Sequence, residues 1–156
     1  MEIKFKKLSE NAVIPSYAHS DDAGMDLTAT RFTQELDKSG KLVLVYHTDI
    51  AVEIPKGYVG LIFMRSSVCN KSIALANAVG VIDSNYRGEL ICKYKITTDA
   101  VPTIYQPGEK VAQFVILPNP RFTPVEAEEL SETDRGEGGF GTTGDKTNIE
   151  TEDKEK

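Results

Sequence analysis

Asn77-Ala78-Val79-Gly80-Val81-Ile82-Asp83-Ser84-Asn85-Tyr86-Arg87-Gly88-Glu89 is the stretch on which the fold turns. Val79, Val81 and Ile82 form an apolar run that enters a polar turn, and Leu90-Ile91-Cys92-Lys93-Tyr94-Lys95-Ile96 follows with alternate residues apolar. The pattern predicts two strands joined as a hairpin. Such a hairpin offers alternating backbone N–H and C=O groups that can meet the hydrogen-bonding edge of a flat base. It also sets a carboxylate, Asp83, three residues from an aromatic ring, Tyr86. Asp-Ser-Asn is also ordinary turn chemistry, and Tyr86 an ordinary packing residue. Taken alone, the stretch favours that plainer reading.

Outward from it, the chain is a succession of short β-patterned runs. Ile3 and Phe5 alternate with lysines, and Met25, Leu27 and Ala29 alternate with Asp26 and Thr28. Leu42 to Tyr46, Ile50 to Ile54, Tyr58 to Met64 and Lys110 to Leu117 read as further strands, and Phe122 to Ala127 as a last one. The segment from Arg31 to Lys41 reads as a polar connection with turn residues Asp37-Lys38-Ser39-Gly40. Arg65 to Ser72 breaks the β pattern and suits a single helical turn. With no helix-period segment of normal length and no repeat, the expectation is an all-β sandwich or barrel.

Composition sets the outer limits. At 156 residues the chain is most simply one domain, able to bury roughly 70% of its unfolded surface. A formal charge of −6 disfavours a nonspecific binder of duplex DNA or of anionic membranes. A small anionic ligand remains open to it, because a few local cations or a bound metal ion can outweigh a weak global field. Cys69 and Cys92 have no metal-ligand spacing and read as buried free thiols. Without a hydrophobic signal core or a run of transmembrane length, a cytoplasmic protein is expected.

After Leu130 the pattern ends. Residues 131–144 carry glycines around one cation, Arg135, one ring, Phe140, and the hydroxyls Thr142 and Thr143. Gly-rich tails are usually plain linkers, but this mixture would also suit a phosphate cradle of converging N–H groups with Phe140 on a base. It lacks the lysine of a Walker loop. Residues 145–156 are charged and read as a disordered tail. The expected organisation is therefore a β-domain over 1–130, a Gly-rich arm over 131–144, and that tail.

Together the polar clusters resemble the trimeric deoxyuridine triphosphatases (dUTP pyrophosphatases), whose five motifs appear here in order. Ala23 to Ala29 is similar to the first, Arg65-Ser66-Ser67 to the second, and Asn77 with Gly80 to Gly88 to the third. Pro107 to Gln113 resembles the fourth and Arg135 to Gly144 the fifth. The resemblance implies a jelly-roll-like fold, a homotrimer with sites at subunit interfaces, and hydrolysis of dUTP to dUMP and pyrophosphate with Mg²⁺ on the triphosphate.

It also implies residue roles. Asp83 would hold and deprotonate the water that attacks the α-phosphorus, as an ionised carboxylate can. Ser66 would contact the bridge between the α and β phosphates, with Ser67 beside it and Gln113 donating to phosphate oxygens. Arg135 would pair with the γ-phosphate. Tyr86 would leave a 2′-hydroxyl no room. Asn77 and the backbone of Gly80, Val81 and Ile82 would read uracil, Phe140 would stack on it, and Gly141, Thr142, Thr143 and Gly144 would line the closed arm. Arg65 would bind phosphate or hold an interface by a salt bridge. Asp26 would hold water on Mg²⁺ or order a neighbouring strand. Departures are Ser67 where many members have glycine, Asn85 where an acid is frequent, and His47-Thr48-Asp49 where a Thr-Gly turn is usual. The alternatives are a dCTP deaminase or bifunctional relative on the same fold, and a regulatory protein switched by nucleotide.

Overall fold

The computed structural model describes residues 1–139; Phe140 to Gly144 and the charged tail at 145–156 lie outside them. Among the described residues nine strands run in the order β1 (Lys4–Lys7), β2 (Met25–Thr28), β3 (Arg31–Leu36), β4 (Leu42–Glu53), β5 (Tyr58–Phe63), β6 (Ile73–Leu75), β7 (Gly80–Ile82), β8 (Glu89–Ile96) and β9 (Lys110–Pro118). All pairings are antiparallel. One sheet has the order β1-β4-β8-β6 with β3 also on β4, and the other the order β2-β9-β5-β7. From β4 onward the chain changes sheet at every connection, which gives the jelly-roll type of sandwich expected for the chain. Residues 1–121 form one compact unit, and the described residues after Arg121 belong to a second.

Alternation explains which side chains enter the core. Along β8, Leu90, Cys92 and Tyr94 are buried while Ile91, Lys93 and Lys95 are exposed. Tyr46, Tyr94 and Tyr105 meet edge-to-face with centroids 5.5–6.1 Å apart, a preferred aromatic geometry. Their polar ends are satisfied: Tyr46 donates to the Tyr105 carbonyl at 3.2 Å and Tyr94 to that of Val111 at 2.6 Å. Burial pushes the Tyr46 phenol up to about 12 and raises Tyr94 further, so both remain neutral donors.

Several sequence expectations are revised. Residues 79–82 and 90–96 are not a hairpin: β7 pairs with β5 and β8 pairs with β4 and β6, in different sheets. Both runs face one core, and the six residues Asp83 to Gly88 readily span the ~10 Å between stacked sheets. Arg31–Leu36 is a strand, joined to β4 by a tight turn in which Asp37 Oδ1 accepts from Ser39 and Lys41 and Gly40 takes a φ of 80°. Five of its six residues are exposed, so it shows no apolar alternation. Leu42 to Tyr46 and Ile50 to Ile54 belong largely to one strand, bulged between His47 and Ala51. Residues 122–127 form no strand, and Phe122 and Val125 are exposed. Cys92 is buried, its thiol pushed up to about 12 by desolvation, but Cys69 is exposed in the 3₁₀ turn Ser66–Asn70.

Gly60 fixes the fit of β5 to its neighbours. A Cβ there would lie 2.5 Å from the buried Phe114 ring and 2.8 Å from Ile54 Cδ1. Gly60→Ala is expected to destabilise the fold by about 1–3 kcal/mol through overpacking, read as a lower midpoint in denaturant titration with unchanged slope; an unchanged midpoint would show that the ring can move aside.

Candidate active site

The second sheet carries most of the chemistry, and its register distributes it. β7 is an edge strand, so one side of its backbone pairs with β5 and the other has no strand partner among the described residues. Beside it a cavity of about 360 Å³ is lined by Asn77, Gly80, Val81 and Ile82, with Ile62, Leu75, Ala76, Ile91 and Lys93 completing the wall. Gly80 lets β7 lie close on β5, since a Cβ would stand 3.1 Å from Ile62 Cβ. A mostly apolar slot with one amide and an unpaired strand edge is suited to a flat heterocycle.

Asp83 follows β7, exposed at the mouth of a larger groove of about 1090 Å³ shared with Arg87, Lys56 and Arg121. Its carbonyl accepts from the Tyr86 N–H at 3.0 Å. Its carboxylate takes no hydrogen bond or ion pair among the described residues, which leaves both oxygens available to water. Tyr86 folds back so that its hydroxyl donates to the Glu89 carbonyl at 2.9 Å.

A second cluster gathers around Asp26 on β2. Arg65 Nε lies 2.8 Å from Asp26 Oδ1, and Lys110 Nζ 2.6 Å from Oδ2. Gln113 faces Asp26 in register and donates to the Met64 carbonyl at 3.2 Å. Ser66, exposed, opens the 3₁₀ turn, while Ser67 accepts from Arg65 at 3.4 Å and meets the Tyr105 hydroxyl at 3.3 Å. One carboxylate between two cations leaves a net positive patch beside a hydroxyl and an amide, the donor set an oxyanion needs. Lys110 and Tyr105 were not singled out from sequence; Lys110 sits inside the Pro107–Gln113 stretch, while nothing local marks Tyr105.

The two clusters are not brought together within one chain. Ile82 pairs with Gly60, which puts Asp83 level with Val59, whereas Gln113 pairs with Phe63. Four residues of β5 separate those levels, roughly 13 Å along the strand, with Ser66 beyond Phe63. Arg135 lies in the second unit, where its Nε donates to the Gly138 carbonyl at 2.8 Å.

No group of three or more His, Cys, Asp or Glu side chains suited to a metal ion occurs among the described residues, and Asp26 is engaged by its two cations. Mg²⁺ favours phosphate oxygens and water over cages made of protein side chains alone. No described helix is long and apolar enough to cross a membrane.

The family model described as dUTPase matches residues 10–144. A deoxyuridine 5′-triphosphate nucleotidohydrolase of Hydrogenobaculum sp. (strain Y04AAS1) is 41% identical over 145 residues, covering 92% of this chain and 99% of its own. Among solved structures, a point mutant of the Staphylococcus bacteriophage 80alpha dUTPase with dUpNHpp superposes with a TM-score of 0.78 at 30% identity, covering 92% of this chain and 98% of its own. A mutant dUTPase from phage phi11 of S. aureus, described for the coordination of a structural Mg(II) ion, gives 0.67 at 30% identity over 83% of this chain and 98% of its own.

Replacing Asp26 with alanine leaves Arg65 and Lys110 facing each other without their shared counter-charge. Asp26→Ala is expected to cost about 1–3 kcal/mol of stability and to recover part of that loss in high salt, followed by thermal unfolding across an ionic-strength series. A variant as stable as the parent at low salt would show that the triad orders nothing.

Proposed function

The chain belongs to the dUTPase family and is a dUTP nucleotidohydrolase; from that premise we propose that each active site is shared between copies of the chain, in a homotrimer, with the described side chains in the following roles. The observation that carries the reading is the separation of Asp83 from Ser66 and Gln113 at opposite ends of β5. A base that holds the attacking water and donors that meet the α/β bridge must both lie within about 3 Å of neighbouring atoms of one substrate. A gap of more than ~13 Å along the strand is too wide for that, so the second cluster must come from another copy.

In the assembled site Asp83 accepts a proton from water as the water oxygen attacks the α-phosphorus. The bond from that phosphorus to the bridging oxygen breaks, pyrophosphate leaves, and dUMP remains. Ser66 and Gln113 donate where negative charge grows on the departing oxygens, favouring the transition state over the ground state. Arg65 and Lys110, held by Asp26, supply local positive charge to a chain whose formal charge is −6. These ion pairs favour Asp26 as an organiser of the strand pair. A Mg²⁺ ion bound together with the triphosphate would supply further positive charge to its oxygens.

Uracil enters the slot beside β7, with the Asn77 amide and the backbone of Gly80, Val81 and Ile82 meeting its edge. Cytosine presents the reversed donor pattern and would leave those groups unpaired, worth on the order of 10⁴-fold in discrimination. Tyr86 stands against the sugar. The arm at residues 131–144 closes the site, Arg135 on the γ-phosphate, Phe140 on the base, and Gly141, Thr142 and Thr143 along the phosphates.

Mixing two inactive chains tests the sharing. Asp83→Asn and Ser66→Ala should each lose at least about 10²-fold in kcat, with nucleotide binding retained. Co-refolded together they should regain activity, because mixed trimers contain sites that draw Asp83 from one copy and Ser66 from another. Mixed trimers without recovery would place both residues in one copy's site. Removing residues 131–156 should leave a folded trimer with most turnover lost; full activity in that truncation would remove the arm from the mechanism.

A further inference from the structure

We propose that Glu89 is a positioning residue for sugar discrimination: its carboxylate, seated in the bulge of β4, fixes the backbone carbonyl on which the Tyr86 hydroxyl rests. The proposal depends on the reading above that Tyr86 stands against the deoxyribose.

Tyr86 is 42% exposed, so packing alone does not hold its ring. Two features do. The hydroxyl donates to the Glu89 carbonyl at 2.9 Å, and the ring lies so close over Gly88 that a Cβ there would stand 2.4 Å from the hydroxyl oxygen and 2.6 Å from Cζ. Where the phenol sits therefore follows from where the first residue of β8 sits.

That residue is anchored from β4. His47 pairs with Ile91 and Ala51 with Glu89, so four steps along β4 face two along β8. The Glu89 carboxylate is bound within the bulge: Oε1 accepts from the Asp49 N–H at 2.9 Å and Oε2 lies 3.1 Å from His47 Nδ1. The bulge is itself braced. The buried Thr48 hydroxyl donates to the Leu90 carbonyl at 2.7 Å. Asp49 takes a left-handed backbone (φ 52°), and its carboxylate accepts from the hydroxyls of Thr30 at 2.7 Å and Ser9 at 2.9 Å. Its carboxyl is held below the ordinary range, chiefly by the Thr30 hydroxyl, so the brace stays ionised at neutral pH.

A ribose differs from a deoxyribose at this wall by one hydroxyl, which a pocket refuses by having a surface that does not yield. Shape-based rejection of a small added group is worth on the order of 10–200-fold, and a shift of the phenol by a fraction of an ångström gives part of it back. Loss of the Glu89 carboxylate should therefore appear in the ratio of kcat/KM for dUTP over UTP more than in turnover of dUTP.

The experiment is a double-mutant cycle on that ratio. Tyr86→Phe and Glu89→Ala are each expected to lower it about tenfold, and the double variant no further than Tyr86→Phe alone, because both remove one contact. Glu89→Gln, which can still accept from Asp49 N–H, should restore most of the ratio. Glu89→Asp, which withdraws the carboxylate by one methylene, should lower it and serves as the breaking variant if Glu89→Ala does not fold. A normal ratio in the breaking variant, or additive losses in the double variant, would overturn the role of Glu89 while leaving Tyr86 in place. A normal ratio in Tyr86→Phe would overturn the reading of the Tyr86 hydroxyl, and this proposal with it.

Discussion

The antiparallel register of β5 between β7 and β9 constrains everything that follows in this molecule. Gly60 opposite Ile82 and Phe63 opposite Gln113 put Asp83 at one end of the sheet and Gln113, with Ser66 beyond it, at the other. A strand cannot be shortened to bring them together without breaking its ladder. Gly60 sharpens the constraint, because Phe114 and Ile54 occupy the space a side chain would need. If Asp83 and the Ser66–Gln113 cluster act on one substrate as proposed, sharing sites between copies follows from a well-packed sheet, and catalysis and assembly become one requirement.

Electrostatics within the donor cluster follow a similar economy of parts. For a chain of formal charge −6 that acts on a triphosphate, Arg65 and Lys110 offer positive charge locally where the global field does not. Asp26 between Arg65 and Lys110 keeps two cations from repelling one another and fixes their direction before substrate arrives. Ordering them in the free protein reduces the side-chain entropy lost on binding. The cationic ends stay partly in water, with about half of the Lys110 side chain exposed, so they can reach an incoming phosphate without a fully buried charge being left behind in the empty site.

How much of this was legible in the sequence depends on what periodicity encodes. Alternation names the inward residues, and Leu90, Cys92, Tyr94 and Phe114 enter the core as their patterns indicate. It does not name a strand's partner, so residues 79–96 read as a hairpin although their two strands belong to opposite sheets. Edge strand β3 carries no apolar alternation because five of its six residues meet solvent. Cys69 looked buried between apolar neighbours, but the short 3₁₀ turn has no buried residue. The candidate site residues stood out by residue type and order, whereas Lys110 and Tyr105 join them only through contacts to Asp26 and Ser67 that the fold makes.

The departure at Asp49 shows how a local irregularity can be retained. A non-glycine residue in the left-handed region costs of order 1 kcal/mol or more, and the usual glycine would remove that cost. Asp49 instead adds acceptors that Ser9 and Thr30 fill, and an ion pair with Arg31 at 3.5 Å. Hydrogen bonds to a charged group contribute about 1.5–3 kcal/mol each where they are well screened from water, which is enough to offset the strain at a partly buried position. The bulge is then rigid for a reason independent of β8, and a rigid bulge can act as a reference for the strand beside it. In the role proposed for Glu89, selectivity for a sugar with one hydroxyl fewer rests on this bulge through contacts of which only Tyr86 touches the nucleotide.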